Sequence, residues 1–210
     1  MAEWHFFASG PSISPESKKY WVNGRTQEQR DNVLVPIQTA YDWSQSTGYS
    51  TWVGAWMTGN YNAGHDYNIV KQIEFGSFLA RSLKEKGIKW SLNAGKHFYD
   101  YRETKWYTKT TDAGGIAILD AVLDPEKICI YERSQYRGNS FRLSAGSYTK
   151  AQLEEAGLTT AGSIMVPIDY TVSLYPEDNF EGTPVVEDRT IQNAENLAVE
   201  SLKVEYISLV

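Results

Sequence analysis

The sequence predicts an α/β stretch over residues 1–125, made of parallel strands and crossover helices, followed by an all-β domain over residues 126–210. Short apolar runs alternate with segments of helical periodicity up to about residue 123. From Ile128 onward, apolar residues recur at every second position, which is the period of a half-buried strand. A signature of two aromatic residues and a glycine also occurs twice in this second part.

The first part is expected to contain three strands separated by helices. Apolar runs and helical periodicity place strands at 4–8, 50–56 and 88–92, and helices at 26–43, 68–86 and 112–123. Pro36 falls inside the first helix, where it should bend the helix or shift its start. Strands joined by helices pair in parallel through right-handed crossovers. Three parallel strands leave open sheet edges, and we expect self-association through such an edge.

Composition and charge exclude several kinds of partner. The net charge is −6 and no run of Lys or Arg occurs, so a nucleic-acid partner is not expected. Apolar runs fall far short of the roughly 20 residues of a membrane span, so no membrane partner is expected. No signal peptide is expected at the N-terminus, and an apolar strand is expected to begin there directly, as it would after a cut inside a larger domain. The single cysteine, Cys129, is expected to be a small buried hydrophobe.

An internal repeat organises the second part. The pattern aromatic-x4-aromatic-x-Gly occurs at residues 131–138 and again at 175–182, 44 positions later. The glycine takes a backbone conformation closed to other residues, so the strand turns tightly beneath the second aromatic ring. Ser163 and Ser201 follow the two copies, and each hydroxyl is placed to tie a folded hairpin down. The only helix expected in this part is at 149–156, ended by a glycine.

The repeated signature resembles the βγ-crystallin family over about residues 127–206. This resemblance implies an all-β sandwich of two Greek-key motifs, at about 127–168 and 169–207. It also places Tyr148 at the tyrosine-corner position of that family.

Many microbial members of the family bind Ca²⁺ through a six-residue motif in each copy, in which a Ser or Thr ligand precedes a final Ser. The matching stretches here are 158–163 and 196–201, and only the final Ser is kept in both. Gly162 and Glu200 stand at the Ser or Thr position. The resemblance therefore favours a structural module without a cofactor. Calcium binding through a degenerate form of the motif remains the alternative, with Thr159 and Asn196 as weak candidate ligands.

The first part resembles the C-terminal part of a glycoside hydrolase family 5 barrel, the cellulase-like (β/α)8 enzymes. Residues 4–7, 51–56 and 88–93 resemble the sixth, seventh and eighth strands of that barrel. The expected fold is therefore a partial (β/α)8 barrel, consisting of its last three strands, followed by the βγ-crystallin sandwich. The resemblance implies an extracellular protein whose partner is a polysaccharide of the β-glucan type.

The carboxylates that glycoside hydrolysis needs are missing from the expected positions. A retaining glycosidase uses two carboxylates about 5–5.5 Å apart at the carboxyl ends of barrel strands. By the resemblance, the nucleophile position holds Ala55, and the strand that carries the acid/base is absent from the chain. A methyl group cannot form a glycosyl–enzyme bond, so no catalytic residue is expected. The residues expected to line a sugar site are His5, Trp56, Trp90 and Asn93, with core packing as the alternative role of each Trp.

Three functional hypotheses follow from the sequence. The first is a cellulase-like glycosidase fragment with an appended βγ-crystallin module, inactive by itself. The second is a non-catalytic polysaccharide-binding protein, and the third is a calcium-responsive structural protein.

Overall fold

The structure is a computed structural model that describes residues 1–6, 21, 24–59, 68–93, 98–109, 111–194 and 197–207. The chain forms an α/β unit that ends with a helix at Leu123 and an all-β unit that begins with a strand at Ile128. Within the described part of the chain, every helix is too short or too polar to cross a bilayer.

Three parallel strands form the sheet of the α/β unit, in the order β1-β2-β3. The elements are β1 (Ala2–Phe6), α1 (Gln27–Thr47), β2 (Thr51–Trp56), α2 (Ile69–Glu85), β3 (Lys89–Leu92), β4 (Tyr99–Asp100), β5 (Lys105–Trp106) and α3 (Ala113–Leu123). The predicted strands and helices are present, except that the first strand begins two residues earlier than expected, and residues 7 and 8 of its predicted range lie outside the described residues. The antiparallel β4–β5 hairpin was not predicted. Three strands in chain order fit both a barrel wall and an open sheet, so the partial barrel stays a prediction.

Capping side chains set the helix boundaries. Thr26, Asn68 and Asp112 each accept a hydrogen bond from the backbone N–H three residues later, at 3.3, 3.2 and 2.9 Å. Gly48 ends α1 in the left-handed conformation, with φ 71°. Because α1 continues through Pro36, the expected shift of its start does not occur.

Two antiparallel sheets form the all-β unit, in the orders β10-β6-β7 and β12-β11-β14-β8. Its elements are β6 (Ile128–Arg133), β7 (Arg137–Leu143), β8 (Gly146–Tyr148), α4 (Lys150–Ala156), β9 (Thr160–Ala161), β10 (Ser163–Met165), β11 (Tyr170–Tyr175), β12 (Val185–Glu187), β13 (Leu197–Ala198) and β14 (Ser201–Tyr206). The short strands β9 and β13 pair with each other. The helix α4 lies where the sequence predicts it.

The two motifs exchange segments between their sheets. Strand β8 of the first motif pairs with β14 of the second, and Ile191 of the second motif bridges to Ile164 of the first. The apolar core lies between the sheets and includes Ile130, Val172 and Leu202. Each motif therefore completes the sheet of the other, which makes them one folding unit.

The repeated signature has the same geometry in both copies. The hydroxyl of Ser163 accepts the N–H of Tyr136 at 2.9 Å, and that of Ser201 accepts the N–H of Phe180 at 3.0 Å. Each hydroxyl also donates to a carbonyl of the same hairpin at 2.7 Å. Both aromatic residues have positive φ, 60° and 64°, and the glycine two residues later has φ 79° or 77°. The predicted role of the two serines is confirmed.

The all-β unit packs directly on the helices of the α/β unit. In β6, Ile128 and Ile130 face the core between the sheets, whereas Cys129 and Tyr131 face α2 and α3. The helices contribute Ile73, Ala117, Ile118 and Ala121 to this contact. The prediction that Cys129 is buried is confirmed, and burial raises the pKa of its thiol. Both faces of β6 are therefore covered.

A buried ion-pair network joins the units beside this apolar contact. Asp169, 2% exposed, lies between β10 and β11. Its carboxylate accepts two hydrogen bonds from Arg30 of α1, at 2.5 and 3.0 Å, and one from Arg81 of α2, at 2.6 Å. Arg81 also donates to the carbonyl of Ile168 at 2.7 Å. One carboxylate thus connects two helices to the turn between the crystallin motifs.

A second carboxyl is buried near the junction, and no ion pair with it is found among the described residues. Glu74 of α2 is 7% exposed, and burial raises its pKa to about 7 despite nearby positive charge. The charged groups around it are Arg25, Lys71, Asp188 and Arg189. Desolvation outweighs their attraction, so the neutral form of Glu74 is favoured in the folded protein.

Replacing Asp169 by Asn should destabilise the protein by about 3–5 kcal/mol, because two buried guanidinium groups lose their counter-charge. Asn tolerates the positive φ of 68° at this position, so the loss reports charge and not backbone strain. Urea denaturation measures it. The control is Glu126→Gln, which breaks an exposed pair with Lys84 and should change stability by less than about 1 kcal/mol. Equal effects of the two substitutions would contradict this assignment.

Glu74 predicts a stability that falls as pH rises. The unfolded carboxyl loses its proton near pH 4.5 and the folded one near pH 7, so the folded state binds more protons between these values. About 3 kcal/mol should be lost across this window. Glu74→Gln should match the native chain near pH 4.5 and exceed its stability at pH 8, whereas Glu155→Gln on the exposed face of α4 should not. Parallel pH profiles for the native chain and Glu74→Gln would exclude the assignment.

Candidate functional site

The sheet of the α/β unit has one apolar and one polar face. The apolar face packs on α1 and α2 and comprises Trp4, Phe6, Val53, Trp56, Trp90 and Leu92. The opposite face is mostly polar, and it carries Glu3, His5, Lys89, Ser91 and Asn93, together with the half-buried Trp52, which pairs with Glu3 and Lys89. A ligand of this sheet would therefore meet the polar face, away from the helices.

A carboxylate and an imidazole are paired on that face. The Nε2 atom of His5 lies 3.2 Å from Oε1 of Glu3, and both side chains are about half exposed. The carboxylate of Glu3 lies over Gly54, where an added Cβ would come within 1.8 Å of Oε1. A side chain at position 54 would displace this carboxylate. Sequence analysis missed Glu3, although its spacing of two from His5 on a strand places both on one face.

A bulge in β2 brings the implied nucleophile position next to His5. Trp4 pairs with Val53, but the next residue, His5, pairs with Ala55, so Gly54 is the extra residue. Ala55 therefore lies beside the Glu3–His5 pair. Its methyl group supplies neither charge nor oxygen.

The two tryptophans expected in the sugar site lie elsewhere. Trp56 is 0% exposed and packs edge-to-face on Trp90 at 5.4 Å between ring centroids, within the core against the helices. Strand alternation puts both rings on the apolar face, which contradicts the expected sugar contact and supports the packing alternative. His5 and Asn93 do lie on the exposed face. His5 lies on β1 and Asn93 follows β3, with β2 between them, so their backbones are roughly 10 Å apart.

In the described part of the three strands, the polar face carries hydrogen-bonding groups and a single carboxylate. Within the described residues of the three strands, Glu3 is the one carboxylate on this face. Retaining and inverting mechanisms both need a pair. His5, Glu3 and Asn93 together offer hydrogen-bond donors and acceptors suited to a neutral polyol.

At the family's Ser or Thr calcium position, the structure shows a crowded glycine in the first copy and a paired carboxylate in the second. An added Cβ at Gly162 would lie 2.4 Å from the backbone of Arg133, so a ligating side chain has no room there. Glu200 is bound by the ammonium group of Lys150 at 2.5 Å. Thr159 is exposed, and Asn196 lies outside the described residues. In the described part of the chain, no three His, Cys, Asp or Glu side chains are grouped to hold a metal ion.

The all-β unit defines a class of protein: two Greek-key motifs that exchange segments, each tied by a serine to an aromatic-x4-aromatic-x-Gly hairpin. The hydroxyl of Tyr148 donates to the carbonyl of Ser144 at 3.0 Å, as a tyrosine corner does.

Comparison with solved structures identifies the family. A βγ-crystallin domain from Clostridium beijerinckii is 32% identical and matches 38% of this chain and 97% of its own, with a TM-score of 0.36. One from Flavobacterium johnsoniae is 30% identical over 38% of this chain and 93% of its own, with a TM-score of 0.36. The N-terminal domain of protein S is 27% identical over 39% and 97%, with a TM-score of 0.37.

Through this domain the chain belongs to the βγ-crystallin family, as the sequence predicted. The sequence matches no family model, and no curated protein matches it. The cellulase-like assignment of the α/β unit stays a prediction.

Calcium at about 5 mM should leave the melting temperature within about 1 °C of its value in EDTA, because a site with micromolar affinity would raise it by several degrees. Scanning calorimetry measures the shift, and isothermal titration should give a flat trace. A saturable heat with one or two sites would overturn this assessment of the ligand positions.

Proposed function

We propose that the α/β unit corresponds to the last three β/α units of a cellulase-like barrel, and that this chain binds sugars there without hydrolysing them. The observation that supports it best is the position of Ala55, on the exposed face beside His5. The helices on one side of a parallel sheet and polar residues on the other agree with a barrel wall, whose inner face carries the chemistry.

On this proposal the polar face holds a β-glucan through hydrogen bonds. Glu3 accepts from sugar hydroxyls, His5 donates or accepts according to its tautomer, and Asn93 does both. Cleavage would require a second carboxylate across the glycosidic bond, and a methyl group stands at that position.

The βγ-crystallin domain acts as a structural brace in this proposal. It covers α2 and α3 with Cys129, Tyr131 and Met165. It also neutralises two helix arginines through Asp169. A three-stranded sheet with helices on one side has little core of its own, and this contact adds buried apolar area to it. The second motif further binds Arg25 through Asp188 at 2.9 Å.

The purified chain should release no reducing sugar from hydroxyethyl cellulose or mixed-linkage β-glucan. Ala55→Glu should remain inactive, since the remaining carboxylate, Glu3, is held by His5 over Gly54. Ala55→Gln is the uncharged control of equal size. Hydrolysis by the native chain that Glu3→Gln abolishes would refute the proposal.

A further inference from the structure

The β4–β5 hairpin presents a cluster of aromatic rings to solvent. Tyr99 lies at the centre, with Tyr101 at 5.2 Å and Trp106 at 5.1 Å between ring centroids, both edge-to-face. Tyr101 and Trp106 are each 66% exposed. Burying such large rings is favourable, so two exposed rings on either side of Tyr99 indicate a surface that a ligand could cover.

The hairpin backbone is held in place on its inner side. Phe98, 4% exposed, anchors it in the core beneath α3, and its carbonyl accepts the N–H of Tyr107 at 2.8 Å. The carboxylate of Asp100 accepts the N–H groups of Arg102 and Glu103 at 2.9 and 3.1 Å. The turn is thus fixed by hydrogen bonds before any ligand arrives, which lowers the entropic cost of binding.

The turn also contains a strained residue. Thr104 has φ 51°, a conformation that β-branched side chains avoid. Strain of this kind persists only where the surrounding structure imposes it, and it is concentrated at ligand sites. Here the conformation of Thr104 determines the path of the backbone between Tyr101 and Trp106.

The charge around the rings favours a neutral ligand. The turn carries two acidic and two basic residues, Asp100, Arg102, Glu103 and Lys105, and Lys105 lies 3.7 Å from Glu103. These charges cancel locally, and the chain as a whole carries −6. A polyanion such as a nucleic acid would require a basic surface.

The size of the patch argues against a protein partner. Two aromatic side chains at this exposure offer roughly 300 Å², whereas a stable protein interface buries about 800 Å² on each partner. A sugar ring needs only one aromatic face, because its C–H groups lie flat on the ring. The hairpin also follows the carboxyl end of β3, the side of a parallel sheet where ligands bind.

We propose that Tyr101 and Trp106 form a stacking platform for a neutral polysaccharide. This goes beyond the proposed function, because the platform consists of residues outside the polar face of the sheet and requires no glycosidase-like site. Tyr99 acts as a positioning residue, since its ring supports the other two.

Affinity electrophoresis of the full chain in gels containing hydroxyethyl cellulose tests the platform. The native chain should be retarded, and Trp106→Ala and Tyr101→Ala should each bind about tenfold more weakly, while Trp106→Phe keeps part of the affinity. The control is Tyr49→Ala, which removes an equally exposed ring, 64%, far along the chain. Carboxymethyl cellulose should retard the native chain less than neutral hydroxyethyl cellulose, because its carboxylates are repelled by the net charge of −6 on the chain.

Absence of retardation of the native chain would overturn the proposal, as would equal retardation of Trp106→Ala and the native chain. An equal loss in Tyr49→Ala would show non-specific aromatic adsorption and would also overturn it. Thermal melting of each variant should match the native chain, because the replaced rings are exposed. Glu3→Gln separates the two sites: retardation unchanged by it but lost in Trp106→Ala assigns binding to the hairpin alone.

Discussion

The carboxylate of Asp169 determines how the two units of this chain are oriented. It lies in the turn between the crystallin motifs and binds one guanidinium from each of the two helices that cover the parallel sheet. Buried charges of this kind tolerate little displacement, because a shifted partner leaves an ion without solvent or counter-charge. The pairing therefore favours one arrangement of the two units, and the apolar contact beside it adds the favourable burial of apolar surface.

The apolar contact changes the character of the crystallin domain. A β-sandwich ordinarily has one solvated face on each sheet, yet β6 is buried on both of its faces. Arg142 reaches across to Asp120 and Asp124 of the α/β unit, so polar groups at the rim of the contact are paired as well. The domain thus forms part of a larger fold. Its family membership describes its strand arrangement but not its contacts with the α/β unit.

Local signals in the sequence were sufficient for the repeat, the capped helices and the burial of Cys129. The aromatic-x4-aromatic-x-Gly signature reflects a local requirement of the backbone conformation. It can therefore be recognised in the sequence without knowledge of tertiary contacts. The side of the sheet on which Trp56 lies, and the role of Asp169 as a buried counter-charge, depend instead on partners distant in the chain. A bulge at Gly54 shifts the register of one strand, and no single-sequence pattern specified it. The hairpin was missed because its strands are two residues long.

The burial of β6 on both faces has a consequence for expressing the crystallin domain as an isolated protein. Excision at residue 126 would bring a sulfhydryl, a thioether and two phenol rings into water, from Cys129, Met165, Tyr131 and Tyr136. Such an exposed apolar surface promotes aggregation of the isolated domain, and its sulfur atoms become accessible to oxidation by peroxide. A usable excised domain would first need hydrophilic replacements on that sheet face.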